Sequence, residues 1–191
     1  MSNDKNEEAL DPNSAAAEGE DVAIAEKAFY EVTIAAPIDT VWAELTRTEM
    51  VLPFFFNAKC VTTELGLGAP IRMRTKNDKY TSVVGEVLEW DPPHRYSHTF
   101  RFTTLDDPAC KITYVLEEVE EGTKFTLITE GVAAGTKSEK YMKSGGTFIV
   151  NNFKALVETG KATFGGRFAL FAMGLFAPFT PKKCKSENWP L

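Results

Sequence analysis

The stretch Glu86-Val-Leu-Glu-Trp-Asp-Pro-Pro-His-Arg-Tyr-Ser-His-Thr-Phe100 decides the fold class. It reads as a strand, a double-proline corner and a second strand. Tyr96, His98, Phe100 and Phe102 share one parity, and Arg95, Ser97, Thr99 and Arg101 share the other. The two-residue period of a strand therefore sends the rings to one face and the polar groups to water. One of those rings is an imidazole. A sheet face that carries rings and a titratable group suits either a packed core or a pocket for an apolar ligand.

Outward from this stretch, residues 58–131 keep a period of two, broken at Gly66-Leu-Gly-Ala-Pro70, Asn77-Asp78, Asp91-Pro-Pro93, Asp106-Asp-Pro108 and Glu120-Glu-Gly122. Breaks of this composition are turns, so six strands are predicted. Alternation from Ala28 to Ala35 adds a first strand, making seven. Their short connections imply an antiparallel meander. Ile38, Val41, Trp42 and Leu45, directly after Pro37, predict a short helix, with Asp39 at the end where the macrodipole favours an acid. The apolar run from Met50 to Phe56, interrupted by Pro53, suits a short second helix or a tight corner. Helical spacing returns from Lys137 to Lys161, where Gly145, Ile149, Asn152 and Leu156 run down a stripe flanked by Tyr141, Phe148 and Phe153. The order strand, two helices, six strands and long helix defines an α+β arrangement: a curved antiparallel sheet wrapped around the last helix. Incomplete closure of such a sheet predicts a cavity between them.

A chain of 191 residues with 43% hydrophobic residues supports one core. Residues 1–27 contain eight acids and two bases and almost no aromatics, which predicts a disordered acidic tail. That tail carries a net −6, the whole formal charge of the chain, so the remainder has no basic surplus to meet a phosphate backbone. Nucleic acid is accordingly excluded as an expected partner. The acidic start lacks the features of a signal or transit peptide, which predicts a cytoplasmic protein. Three cysteines, Cys60, Cys110 and Cys184, without a Cys-x-x-Cys spacing read as reduced thiols.

The motifs resemble those of the SRPBCC or START-like superfamily, in the branch similar to the C-terminal domain of the activator of the heat-shock-protein-90 ATPase. The resemblance rests on Gly85-Glu-Val-Leu-Glu-Trp-Asp-Pro-Pro93 followed by Arg95-Tyr-Ser-His-Thr-Phe100. Ile34-Ala-Ala-Pro37-Ile-Asp-Thr-Val-Trp42, Gly122-Thr-Lys-Phe-Thr-Leu-Ile-Thr-Glu-Gly131 and Phe153-Lys-Ala-Leu-Val-Glu158 support it, over about residues 28–161. It implies a helix-grip fold with seven strands around a long C-terminal helix and a hydrophobic cavity between. Two departures stand out: Gly146 where the branch often has tryptophan, and Thr129 where it often has histidine. Both predict a less bulky or less titratable cavity wall.

The expected cavity lining is Trp42, Met73, Tyr96, His98, Phe100, Tyr114, Phe148 and Asn152. His98 is expected inside, where a neutral imidazole hydrogen-bonds a ligand carbonyl or phenol; the competing expectation pairs it with Tyr114 or a backbone carbonyl. The leading functional reading is binding of a small apolar or aromatic molecule without a cofactor. The alternatives are a co-chaperone acting through protein contacts and a cyclase- or aromatase-type enzyme using His98 as acid or base. No metal is expected, because His94 and His98 are about 13 Å apart along an extended strand. No nucleophile elbow or P-loop occurs, so no catalytic residue is assigned.

Residues 162–191 form an apolar C-terminal extension. Phe168-Ala-Leu-Phe-Ala-Met-Gly-Leu-Phe-Ala-Pro-Phe179 is uncharged and Lys182-Lys-Cys-Lys185 follows. The run is too short to span a bilayer, which needs about 20 apolar residues. It is expected to pack on its own domain or across a homodimer, with attachment to a membrane surface through residues 164–185 as the alternative.

Overall fold

The computed structural model describes residues 22–175 and 180–191, with the side chains of 173–175 left aside. The predicted tail falls mostly outside them, but its last part is ordered onto the domain: Ala25 N donates to Val132 O at 2.7 Å and Ala134 N to Ala23 O at 2.7 Å. Strand β1 (Ala28–Ile34) leads into α1 (Ile38–Leu45). There follow β2 (Val51–Leu52), a 3-10 turn (Pro53–Phe55), β3 (Ala58–Val61), β4 (Pro70–Arg74), β5 (Thr81–Asp91), β6 (Arg95–Phe102), β7 (Cys110–Val119) and β8 (Gly122–Glu130). Helix α2 (Lys137–Thr159) closes the grip and α3 (Phe164–Leu175) comes after it.

All pairings are antiparallel, in the order β1-β8-β7-β6-β5-β4-β3-β2. The five predicted breaks are the turns between β3 and β8. The sheet has eight strands rather than seven, because the Met50–Phe56 run pairs Val51 and Leu52 with Lys59 and Ala58 before it turns. Pro53 lacks the N–H that a longer strand would need, so the chain leaves the ladder there. The second helix is thus reduced to the single 3-10 turn.

Helix α2 is held at both ends by its own sequence. Thr136 Oγ1 accepts from Glu139 N at 3.2 Å, as an N-cap does, while the Glu139 carboxylate accepts from the N–H of Gly135, one residue before the cap, at 2.8 Å, a near relative of the capping box. At the other end Gly160, at φ 72°, donates to Leu156 O at 2.8 Å, a left-handed stop that favours glycine. Between these ends the helix buries Met142, Gly146, Ile149, Val150 and Phe153 against β1, β8 and the 3-10 turn.

Of the apolar C-terminal run, residues 176–179 lie outside the described residues, and the described part has two sides. Gly166 and Leu170 of α3 are buried, but Phe164, Phe168 and Phe171 point away from the domain. After α3, residues 181–191 strap the sheet. Cys184 is buried, Ser186 Oγ lies 3.0 Å from Thr81 Oγ1, and Arg72 Nε donates to Pro190 O at 2.9 Å. No helix among the described residues is long and apolar enough to cross a membrane.

Candidate functional site: a buried histidine in an aromatic interior

The inner face of β6–β8 lines up as the parity predicts. Tyr96 stands opposite Tyr114 and His98 opposite Ile112. All of Tyr96, His98, Phe100 and Tyr114 are buried, His98 to 4% exposure. The Tyr96 ring stacks on His98 and on Tyr114, each at a centroid distance of 5.3 Å, and His98 and Tyr114 are 5.8 Å apart. On β5 the register shifts between Val87 and Glu89, so both Val87 and Trp90 turn inward. Trp90 meets Tyr96 edge-on at 5.4 Å and Trp42 of α1 at 5.1 Å, which brings Trp42 to the rim of the same cluster.

The state of the His98 imidazole follows from its neighbours. Nδ1 lies 2.7 Å from Thr99 O, and a carbonyl can only accept, so Nδ1 carries the proton. Nε2 is left with its lone pair facing the Tyr114 hydroxyl at 3.5 Å, a long contact. Burial pushes the imidazole pKa down to about 4, against the smaller opposing effect of the Thr99 carbonyl. At neutral pH His98 is therefore neutral, able to accept a hydrogen bond or a proton but not to act as an acid. Burial also raises the Tyr114 and Tyr96 phenols and the thiol of nearby Cys60, the last to about 12. The cluster is uncharged throughout. Both expected partners of His98, a backbone carbonyl and Tyr114, are present together.

Gly85 makes this geometry available. A Cβ there would sit 1.9 Å from Thr99 O and 3.4 Å from His98 Nδ1, so any side chain on β5 would collide with the carbonyl that fixes the imidazole. The Gly85 of the sequence motif is thereby a positioning residue for His98.

The opposite wall differs from the expectation of an open cavity. Gly146 does not enlarge a pocket: the Tyr30 ring fills its place, at 2.4 Å from where a Cβ would stand. Residues 54–56 drive three phenylalanines between α2 and the sheet. Phe54 packs on Phe153 at 4.7 Å, Phe55 faces Phe100 at 6.4 Å, and Phe56 stacks on Phe148 at 4.6 Å and 10°. Phe56 and Asn57 hold left-handed backbones, at φ 53° and 58°, to turn the chain back into β3. Such conformations cost energy outside glycine and mark an over-determined turn.

The remaining expected residues sit on other elements. Met73 is buried on β4 opposite Cys60 and Val83. Asn152 is buried on α2 with its amide engaged locally: Nδ2 donates to Phe148 O at 2.8 Å, and Oδ1 accepts from Thr163 N at 3.1 Å and Thr163 Oγ1 at 2.8 Å. Two surface hollows among the described residues, of about 420 and 390 Å³, are lined around Cys110 and Lys111 and around Thr33 and Lys154. Neither includes Tyr96, His98 or Tyr114. No group of three His, Cys, Asp or Glu among the described residues converges as metal ligands would.

An eight-stranded antiparallel sheet curled around one long helix, with an aromatic interior behind the grip, defines a helix-grip protein of the SRPBCC or START-like class. Residues 35–158 match the family model described as Activator of Hsp90 ATPase homolog 1-like protein, and the chain belongs to that family. Solved structures share the fold. The Aha1 dimer from Colwellia psychrerythraea aligns with TM-score 0.58 at 15% identity over 72% of this chain and 100% of that one. CalU16 from Micromonospora echinospora gives 0.53 at 15% identity over 78% and 86%. DynU16, a protein of the dynemicin biosynthetic locus, gives 0.57 at 23% identity over 71% and 48%. None of the curated proteins matches the sequence significantly.

Proposed function

We propose that the protein binds a small aromatic molecule with one polar atom, held against His98 and Tyr114 in the place now taken by residues 54–56. The observation that carries this reading is the incomplete pairing inside the core. A core built for packing alone gains nothing from an imidazole and a phenol, because each loses its hydration on burial. Here the Nε2 lone pair of His98 meets the Tyr114 hydroxyl only at 3.5 Å. A ligand hydroxyl donating to Nε2, or a carbonyl accepting from Tyr114, would complete what the fold leaves stretched, while rings replace the phenylalanines. A pocket of apolar walls with a few convergent polar groups is the usual form of a small-molecule site. The binding-competent state is then the one with the 54–56 turn withdrawn, and its rarity lowers the observed affinity in proportion.

A second reading, action through protein contacts in the manner of a co-chaperone, is favoured by the same filled interior. Its docking face would be the outer side of β5–β8. There Lys27, Glu130, Lys111, Glu89 and Arg95 follow one another in ion pairs of 2.6 to 3.6 Å. These charges satisfy one another, so a partner would first have to compete for them.

Thermal unfolding of the purified protein with a panel of planar phenols, aryl ketones and plain hydrocarbons separates the two. Ligand binding predicts a raised midpoint, by mass action, for phenols and ketones more than for hydrocarbons of the same size. A midpoint indifferent to every compound would instead favour the protein-contact reading.

A further inference from the structure

Helix α3 lies beyond the residues matched by the family, and it is seated with its apolar side outward. Phe164, Phe168 and Phe171 are 86%, 68% and 68% exposed. They fall at i, i+4 and i+7, one face of the helix, opposite buried Gly166 and Leu170. The orientation is built in. The Asn152 amide oxygen accepts both the backbone N–H and the hydroxyl of Thr163, and Thr163 Oγ1 in turn accepts from Gly166 N at 2.9 Å. A Cβ on Gly166 would stand 1.9 Å from Asn152 Oδ1, so the close approach of this side of the helix to α2 needs a glycine there. Downstream, the 181–191 strap is fixed by buried Cys184 and by Trp189 beneath the Arg101 guanidinium at 5.2 Å. The phenylalanine face is therefore presented by anchors on both sides of the helix.

Charge and area identify what the face meets. No acidic residue occurs between Glu158 and Glu187, whereas Lys161, Arg167, Lys182, Lys183 and Lys185 all lie in that interval. Lys183 is paired with Asp106 and Lys185 with Glu187, which leaves Lys161, Arg167 and Lys182 as the principal source of attraction. Two copies of this segment would bring like charges together. The three rings expose about 450 Å², so a two-fold contact through them would bury about 900 Å², below the roughly 1,200 Å² of a stable interface. Exposed rings with Arg167 on the same helix, in a stretch of sequence that has cations and no acid, match the other available surface, the headgroup region of a bilayer. We propose that the Phe164, Phe168 and Phe171 face of α3 is a docking surface for an anionic lipid membrane, on which the protein lies without spanning it.

Co-sedimentation of the full-length protein with phosphatidylcholine vesicles, with and without phosphatidylglycerol, tests this directly. The expected result is binding to the anionic vesicles that weakens at high salt. The variant carrying Phe164→Ser, Phe168→Ser and Phe171→Ser should bind at least about tenfold more weakly with an unchanged thermal midpoint. Absence of vesicle binding, or equal binding by the variant, would overturn the proposal. So would a dimer on size-exclusion chromatography that the triple substitution converts to monomer, since a second copy would then own the face. The readout needs no ligand in the interior, so its outcome is independent of the binding reading above.

Discussion

At the scale of the residue, the interior turns on a neutral imidazole. The His98 pKa falls from 6.5 to about 4 on folding, so between those values the unfolded chain binds a proton that the folded protein refuses. The contribution of His98 to stability is full above about pH 6.5 and is lost as the pH drops toward 4, by about 3 kcal/mol in all. Urea unfolding of the wild type and of His98→Phe at neutral pH and near pH 4.5 checks this. The wild type should lose about 2 to 3 kcal/mol more than the variant over that interval; equal losses would mean that the imidazole is hydrated in the folded state. Strand parity was enough to place Tyr96, His98 and Phe100 inside. It failed at Ser97, which has the outward parity yet is buried opposite Thr113, because two short side chains sit below the long Glu89, Arg95 and Lys111 around them. Asn152 was legible as a polar residue on an apolar stripe. Its partner Thr163 was not, because a turn between helices leaves no periodic signal.

At the scale of the element, the decisive piece is the turn at residues 54–56. Three consecutive phenylalanines after a proline are visible in the sequence, but a run of that length fits a helix, a corner or a strand equally well. What the periodicity could not carry is insertion: the turn drives its rings between two other elements, a tertiary fact with no local period. The absence of bulk at Gly146 misled for the same reason, since the ring that fills it comes from Tyr30, over a hundred residues away. Phe55 is buried against Phe100, so Phe55→Ala should lower stability by about 3 to 5 kcal/mol, the usual cost of emptying a phenylalanine site. Chemical denaturation measures it. A loss under about 1 kcal/mol would mean that the turn is only loosely inserted.

At the scale of the whole molecule, element order was the most legible layer. Turn residues at five regular breaks define a meander, and a meander ending in a long amphipathic helix has few ways to bury both. The two-residue strand β2 was beyond reach because strands so short have no alternation to detect. The apolar character of the C-terminal extension was legible in its composition, but the division of α3 into a buried and an exposed side was not, since the seat on Asn152 is a tertiary contact. In this arrangement the 54–56 rings already pack in the grip, so the binding proposed above would be an exchange of those rings for a ligand.

Calorimetric titration of 2-naphthol into the wild type and Phe55→Ala tests that exchange most directly. Removing the ring that occupies the site eliminates the cost of withdrawing it, so the variant is predicted to bind at least about tenfold more tightly than the wild type. Adding His98→Phe to the variant should then cost a further 1 to 3 kcal/mol, roughly one buried hydrogen bond. Failure of both proteins to bind, or affinities unchanged by the loss of Phe55, would contradict the account and leave the aromatic interior as a core and nothing more.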